Sequence, residues 1–407
     1  MFGALRLPNT ILFGSGQRHV IGSATARFGT RTLVCTDARM AQLDVFAAVI
    51  KDLEAHGVEA RVFDQTIADL PIDSIKECVA GVGDFKPDSI IGIGGGSCID
   101  MAKVVSVLLT HGGEPSAYYG EFAVPGPVLP LIAVPTTSGT GSEVTPVAVI
   151  LDSARGTKIG IASPYIIPHM AVCDPELTTT CPVGLTACSG ADALAHAVEA
   201  FTSKTRPADA MLTEQHVFIG KNLLSDHFAR LAVSNVFRYL ARACKDGSDV
   251  EAREGMMLAS LAAGCAFGTA GTAAAHALQY PVGNLTHTSH GDGVGALLPF
   301  VMQFNRSASP EAFAELAGVV GLGDASMSVD ERSQLFIDEV ATLFAAIGIP
   351  RSLQALGLAS GHENDVAAGA LKAERLVKNN PRPLDLAAML HITQAAYAGE
   401  RAALLNL

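Results

Sequence analysis

The chain has no tryptophan, and aromatic residues make up only 6% of it. That scarcity matters at one place. Gly255 to Leu278, "GMMLASLAAGCAFGTAGTAAAHAL", contains no Asp, Glu, Lys or Arg and is long enough to span a bilayer. A spanning helix is rich in Leu and Ile and carries aromatic belts at its ends. This stretch has no belt, stands alone and is rich in Ala, Gly and Thr, so a buried helix of a globular domain is expected. Charged residues are also sparse, 17% against 49% hydrophobic, which fits large buried elements. Lys and Arg number 28 against 40 Asp and Glu, a net charge of −12 with no basic cluster to offset it. That balance argues against a nucleic-acid partner and against an anionic membrane surface. Any anionic ligand must be held by local features.

Other absences narrow the class. The eight cysteines include no CxxC pair. Cys173, Cys181 and Cys188 come nearest to a cluster but match no zinc spacing. They read as reduced thiols, and a cytoplasmic protein is expected. "MFGALRLPNTILFGSGQ" lacks a charged n-region followed by an apolar core and a cleavage site, so no signal peptide is expected. Low-complexity tracts and fixed-period repeats are missing, which argues against disorder and solenoids.

What is present is an alternation. A chain of 407 residues is too long for one ordinary core and suggests two domains. "TLVCTD" (Thr32 to Asp37), "ARVFD" (Ala60 to Asp64), "SIIGIGGGS" and "PLIAVPTT" read as strands. Between them lie helical patterns. One runs from Met40 to His56 with Leu43, Phe46, Ala47, Ile50 and Leu53 as its apolar stripe; the others are "IDSIKECVAGVGDF" and "CIDMAKVVSVLLT". Strand and helix in turn imply a parallel sheet covered on both faces. After about Thr180 the strands nearly vanish and long Ala- and Leu-rich helical patterns take over. The expected division is an α/β dinucleotide-binding domain over residues 1–182 and an all-helical metal and substrate domain over residues 183–407. A cleft is expected between them.

Two loops carry a ligand signal. "GIGGGSCIDMAK" places Gly94, Gly95, Gly96 and Ser97 between a strand and a helix, with Asp100 one turn on. Glycines there let the backbone approach a phosphate, and the helix N-terminus supplies free N–H groups. The spacing is neither GxGxxG nor a Walker A loop, so a tight turn without ligand stays open. "PTTSGTGSEV" (Pro135 to Val144) also follows an apolar strand and brings Thr136, Thr137 and Thr140. Paired loops at the carboxyl ends of parallel strands are where open α/β sheets bind nucleotides. Asp37 ends its strand where a carboxylate can accept from both ribose hydroxyls and repel a 2′-phosphate, which favours NAD over NADP. The same carboxylate can equally cap the next helix.

A third signal lies in the helical half. In "SGADALAHAVEAFTS", Asp192 and His196 sit four residues apart on one helical face. "HALQYPVGNLTHTSHGDG" adds His276 at the end of the long uncharged helix, with His287 and His290 after it. His290 is expected to start another helix. One carboxylate with two or three imidazoles suits a divalent transition metal, and the set does not name which. A buried ion pair is the alternative for Asp192 and His196.

Taken together, "GGGSCIDMAK", "PTTSGTGSEVTPVAV", "GADALAHAVEAF", "AHALQYPVGNLTHTSHG" and "NNPRPL" resemble the iron-containing alcohol dehydrogenase family, and the likeness runs nearly the whole chain. The resemblance implies a Rossmann-like domain followed by a helical domain, as in dehydroquinate-synthase-like folds. It implies Asp192, His196, His276 and His290 as the metal-binding and catalytic set, with His287 outside it. It implies cofactor contacts at Asp37, Gly96, Ser97, Thr136, Thr137, Thr140, Val149, Lys158 and Leu185, to which the glycine turn adds Gly94, Gly95 and Asp100. The implied activity is NAD-dependent interconversion of a small alcohol and its aldehyde or ketone by a homodimer. The expected metal is Fe(II), with Zn(II) as the second choice. Reduction of an oxo-acid, as in the maleylacetate-reductase-like branch, is the alternative within the family. A non-redox lyase or synthase of the same superfamily is the alternative outside it. One position departs from the pattern. Several members carry a histidine four residues after the third ligand, where this chain has Tyr280. A phenol with an ordinary pKa of about 10 is a weaker proton relay at neutral pH, and His287 is the candidate substitute.

Overall fold

Two of the apolar runs become the middle of a parallel sheet in the computed structural model, which describes residues 2–324 and 326–405. The strands are β1 (Thr10–Phe13), β2 (Arg31–Cys35), β3 (Glu59–Phe63), β4 (Ser89–Gly94), β6 (Leu131–Pro135) and β9 (Met170–Cys173), in spatial order β1-β9-β6-β4-β2-β3. All five pairings are parallel. Every residue of "SIIGIG" in β4 and of "LIAVP" in β6 is buried, as strands covered on both faces require. Side chains alternate between the faces. Leu33, Cys35 and Ile90 join α3 (Ile72–Val82) and α4 (Gly96–His111) in one core. Val34, Ile91 and Ile93 join α1 (Ile21–Thr25) and α2 (Asp44–Ala55) in the other. The α/β expectation holds.

Two details differ from it. The segment read as one helix from Met40 begins as a 3₁₀ turn at Met40–Gln42, and α2 starts only at Asp44. Its buried positions are Phe46, Val49 and Leu53, because the register shift turns Ala47 to solvent. The alternation also hides an antiparallel hairpin, β7 (Val147–Asp152) with β8 (Thr157–Ala162), to which β5 (Gly120–Glu121) adds a third strand.

The strand order reverses between β2 and β4, since β2 leads outward to β3 and β4 leads the other way to β6. Ligands of open α/β sheets bind at such a switch point, outside the carboxyl ends of the strands. A buried lysine fixes the chain there. Lys103 of α4 is fully buried, and its Nζ donates to Ser142 Oγ (2.9 Å), Thr145 O (2.9 Å), Thr145 Oγ1 (3.1 Å) and Val147 O (2.8 Å). Burial pulls its pKa down to about 8, against the pull of Asp100 and Glu143.

The remaining residues form a helical unit. Backbone packing divides the described chain into Arg6–Cys181 with Thr213–Val217, and Pro182–Leu212 with Phe218 onward and the extreme N-terminus. Helices α5 (Val183–Thr202), α7 (Leu223–Lys245) and α8 (Val250–Ala270) pack on one another; a short α6 (Leu212–Gln215) precedes α7. Small residues set their spacing: Leu240 lies against Gly190, and the Tyr239 ring lies where a side chain on Gly255 would stand.

The uncharged stretch is not one helix. It breaks at Gly271, whose φ of +81° is a left-handed conformation that glycine tolerates, and restarts as α9 (Ala274–Thr286) at 103° to α8. His276 therefore stands in the first turn of a new helix rather than at the end of the old one. Among the described residues no single helix is long and apolar enough to cross a membrane. Helix α10 (His290–Asn305) starts at His290, as expected.

Replacing Lys103 with Met would strand four acceptors and leave Asp100 buried beside no cation. Lys103→Met is expected to cost about 3–5 kcal/mol in denaturant unfolding; a loss under about 1 kcal/mol would mean the clip is not structural.

Candidate metal centre and nucleotide-binding loops

The apolar helix α5 carries a polar stripe. Asp192, His196 and Glu199 fall at spacings of four and three, so they share one face. All three are buried. They face α9 and α10, which bring His276 and His290. The three imidazole Nε2 atoms all approach one atom, Asp192 Oδ1: His276 at 3.5 Å, His196 at 3.8 Å and His290 at 3.8 Å. Ligand-capable atoms of Asp192, His276 and His290 lie within 4.8 Å of one another. His196 is held beside them by stacking on the Phe267 ring (4.1 Å) and on His276 (4.6 Å).

These separations bear on whether the group is an ion pair or a metal site. They are longer than hydrogen bonds, which run about 2.7–3.2 Å for a nitrogen donor to oxygen. They are close to the edges of a tetrahedron of ligands each about 2.1 Å from a central ion, roughly 3.4 Å. Asp192 Oδ1 and His276 Nε2 are buried and make no hydrogen bond. Two orphaned polar atoms aimed at each other across 3.5 Å are costly unless something between them takes their lone pairs. A carboxylate with three imidazoles is a donor set for a divalent transition metal, so the residues fit one.

Charge supports the same account. Burial would raise the Asp192 carboxyl, but His196, with His276 and His290, holds it well below the usual carboxylate range. Burial would lower His276, but Glu199 and then Asp192 push it up to about 9. Asp192 and Glu199 thus draw positive charge to His276, carried by a proton when no cation is bound. Glu199, not anticipated from the sequence, bonds His276 Nδ1 at 2.6 Å and the backbone N–H groups of Ala273 and Ala275 at 2.8 and 2.6 Å. The only sequence signal was its place three residues after His196 on the same stripe.

The spacing of α5 and α10 depends on Gly291. A Cβ there would stand 2.1 Å from the carbonyl oxygen of Cys188. That close approach puts His290 within reach of Asp192. Of the other positions singled out, His287 caps α9 at φ +55° and is exposed. Tyr280 lies on α9, and burial raises its phenol above the usual value.

The nucleotide-loop residues are assembled within the other unit. β2 ends at Cys35, so Asp37 lies two residues past the strand it was expected to end, beside Gly94 at the end of β4: Cys98 Sγ donates to Asp37 Oδ2 at 3.7 Å, and Asp37 Oδ1 accepts from Met40 N at 2.8 Å. That bond ties down the first residue of the 3₁₀ turn, but Asp37 is not the N-cap of the turn or of α2, which follow Arg39 and Leu43, so the helix-capping alternative is not realised. Thr140 packs against Gly96, where a Cβ would stand 2.7 Å from its methyl, and Thr137 lies over Gly95. The glycine turn and the threonine loop therefore form one surface. Ser97 lies in the first turn of α4, and Thr136 follows β6 and is buried. Asp100 is committed inward: one oxygen accepts from Ser142 Oγ, the other from Val149 N at 2.8 Å. Lys158 on β8 pairs with Asp69 at 2.6 Å. Leu185 belongs to the helical unit, in the first turn of α5.

Four metal-type donors on helices and a parallel sheet with nucleotide-type loops fit a dinucleotide-linked, metal-dependent enzyme. Comparison with known proteins gives the family. Residues 8–175 match the model "Iron-containing alcohol dehydrogenase", and residues 186–397 match "Fe-containing alcohol dehydrogenase family, C-terminal". The Long-chain-alcohol dehydrogenase 1 of Geobacillus thermodenitrificans is 34% identical over 90% of this chain and 89% of its own. The NAD-dependent methanol dehydrogenase of Bacillus methanolicus is 32% identical over 92% and 95%. A crystal structure of a 1,3-propanediol oxidoreductase superposes with a TM-score of 0.91 at 31% identity, covering 98% of this chain and all of the other. The chain belongs to the iron-containing alcohol dehydrogenase family. It is a metal-dependent, nicotinamide-linked oxidoreductase that moves a hydride between an alcohol and its carbonyl product.

Gly291→Ala is expected to push α10 off α5 and weaken divalent-metal binding at least about tenfold, as loss of a ligand's support does. Chelator competition measures it, and unchanged affinity would separate Gly291 from the site.

Proposed function

We propose that Asp192, His196, His276 and His290 hold one divalent cation, Fe(II) in first place and Zn(II) in second, and that the loops at Asp37, Gly94–Ser97 and Thr136–Thr140 take NAD. On this reading residues 1–182 are the dinucleotide domain and residues 183–407 the metal and substrate domain, with Val149, Lys158 and Leu185 as further cofactor contacts. Asp100 would act there through the loop it braces. The observation that carries the reading is the convergence of three Nε2 atoms on one orphaned carboxylate oxygen, at spacings too long for hydrogen bonds.

When bound, the cation supplies a Lewis acid for the substrate oxygen and the nicotinamide a hydride acceptor or donor. The chain's own residues do the rest. Asp192 supplies the one negative charge among the four donors. The three imidazoles bind neutral, which leaves the site net positive toward an oxygen that gains charge. Burial keeps these interactions in a low dielectric, where they are stronger than in water. Phe267 fixes the plane of His196 by stacking. Tyr280 keeps its proton at neutral pH, since burial raises its phenol above the usual value. The Asp37 carboxylate repels a 2′-phosphate, which supports NAD over NADP.

The substrate is a small alcohol and its aldehyde. Relatives named for long-chain alcohols, methanol, choline and 1,3-propanediol are 31–34% identical to this chain, so likeness alone does not select among them. The reading includes a cytoplasmic homodimer with no nucleic-acid or membrane partner. The net charge of −12 supports the second part. Edge strand β1, hydrogen-bonded to β9 alone in the sheet, supports the first as a place for a second copy to add.

His276→Ala is expected to abolish NADH-linked alcohol oxidation, by more than the roughly 10–100-fold that loss of an outer partner costs, while NADH binding persists. Anaerobic reconstitution of the chelated parent with Fe(II), Zn(II), Mn(II) or Co(II) should restore turnover on a panel of alcohols. Near-parental activity in the variant would overturn the assignment.

A further inference from the structure

The break between α8 and α9 leaves backbone groups on both sides without helical partners. The first N–H groups of a helix have no intrahelical acceptor, and α9 has no side-chain cap of its own. Two buried side chains from elsewhere in the helical unit supply what is missing. Asn379, in the "NNPRPL" segment, donates from Nδ2 to the carbonyls of Ala270 (3.0 Å) and Thr272 (3.1 Å). Glu199, in α5, accepts from the amides of Ala273 at Oε2 (2.8 Å) and Ala275 at Oε1 (2.6 Å). So Asn379 holds the carbonyl side of the elbow and Glu199 the amide side.

Only Glu199 goes further. Its Oε2 also meets His276 Nδ1 at 2.6 Å. Both carboxylate oxygens already accept from backbone N–H groups, and an imidazole is the more basic of the two partners. The proton between them therefore sits on Nδ1. The imidazole that binds a cation is neutral and has one N–H, so with that proton on Nδ1 it is Nε2 that carries the lone pair. Nε2 is the atom that points at Asp192 Oδ1 across 3.5 Å.

We propose that Glu199 is the positioning residue of the metal centre: it caps α9 and, through the same carboxylate, fixes His276 in the tautomer that presents Nε2 to the cation. Partners that set a ligating histidine's tautomer typically matter 10–100-fold in metal affinity. The inference rests on the metal reading of the four side chains. It adds that one stripe of α5 supplies a carboxylate ligand, an imidazole ligand and the orienting group for a third.

Glu199→Gln separates this role from simple packing, because it keeps the size and replaces one acceptor by an NH₂. With NH₂ at the Oε1 place a donor faces the Ala275 N–H; with NH₂ at the Oε2 place a donor faces the Ala273 N–H and also donates to Nδ1, which drives the proton to Nε2. Full-length parent, Glu199→Gln, Glu199→Asp and Asn379→Ala are stripped of metal and titrated with Co(II) against a chromophoric chelator. The Co(II) absorption bands and the thermal unfolding of each apo form are recorded alongside. Glu199→Gln is expected to bind Co(II) about 10–100-fold more weakly, with altered bands. Glu199→Asp, which keeps two acceptors at shorter reach, recovers part of that loss and tests the role if the amide variant does not fold. Asn379→Ala loosens the same elbow without touching the imidazole, so it loses thermal stability but less than about threefold in affinity. Parental affinity and bands in Glu199→Gln would overturn the proposal. So would an equal affinity loss in Asn379→Ala, which would make Glu199 a cap and nothing more. Failure of the parent itself to bind Co(II) would instead remove the metal reading, and this inference with it.

Discussion

The helical unit is built around one uncompensated carboxylate oxygen. Asp192 Oδ1 is buried, makes no hydrogen bond and is approached by three imidazole nitrogens at 3.5–3.8 Å. Folding such a group into an apolar helix is unfavourable unless a positive charge joins it. The surrounding structure appears in that light as a set of devices for bringing imidazoles to that oxygen. The small residues of α5, α7 and α8 allow close helix packing, Gly291 lets α10 approach α5, and the turn at Gly271 points a new helix at the same place.

The α/β unit follows a parallel logic with backbone rather than side chains. Gly94, Gly95 and Gly96 open a surface at the switch point of the sheet, and Thr137 and Thr140 are laid against it. A lysine with four hydrogen bonds and an aspartate with two fix that second loop and strand β7 from beneath. In both units buried charge is used for position, the setting where removing one partner costs most.

Much of this was legible in the sequence, for identifiable reasons. β4 and β6 are short apolar runs ending in glycine or proline, so length and flanks marked them as strands. Asp192 and His196 stood out because a charge pair at helical spacing is out of place in an Ala-rich helix. The hairpin β7–β8 was missed because β8 is fully buried only at its last two residues and carries both Lys158 and Gly160, which weakens the pattern. The bend at Gly271 was missed because neither proline nor charge interrupts Gly255–Leu278; the helix ends on a left-handed glycine and an asparagine more than a hundred residues away. Glu199 was missed because glutamate in a helix normally marks the solvent face, and the three donors it meets lie 74–77 residues further on. Periodicity reports which face is apolar. It does not report which distant backbone amides a buried carboxylate will serve.

The central claim is that these four side chains form the coordination sphere of one cation. A crystal of the Fe(II)- or Zn(II)-loaded protein, measured at the metal's absorption edge, tests it directly. The account predicts a single strong anomalous peak with Asp192 Oδ1 and the Nε2 atoms of His196, His276 and His290 each about 2.0–2.2 Å away. A metal peak lying elsewhere, with Asp192 hydrogen-bonded to one histidine and the others turned away, would contradict it.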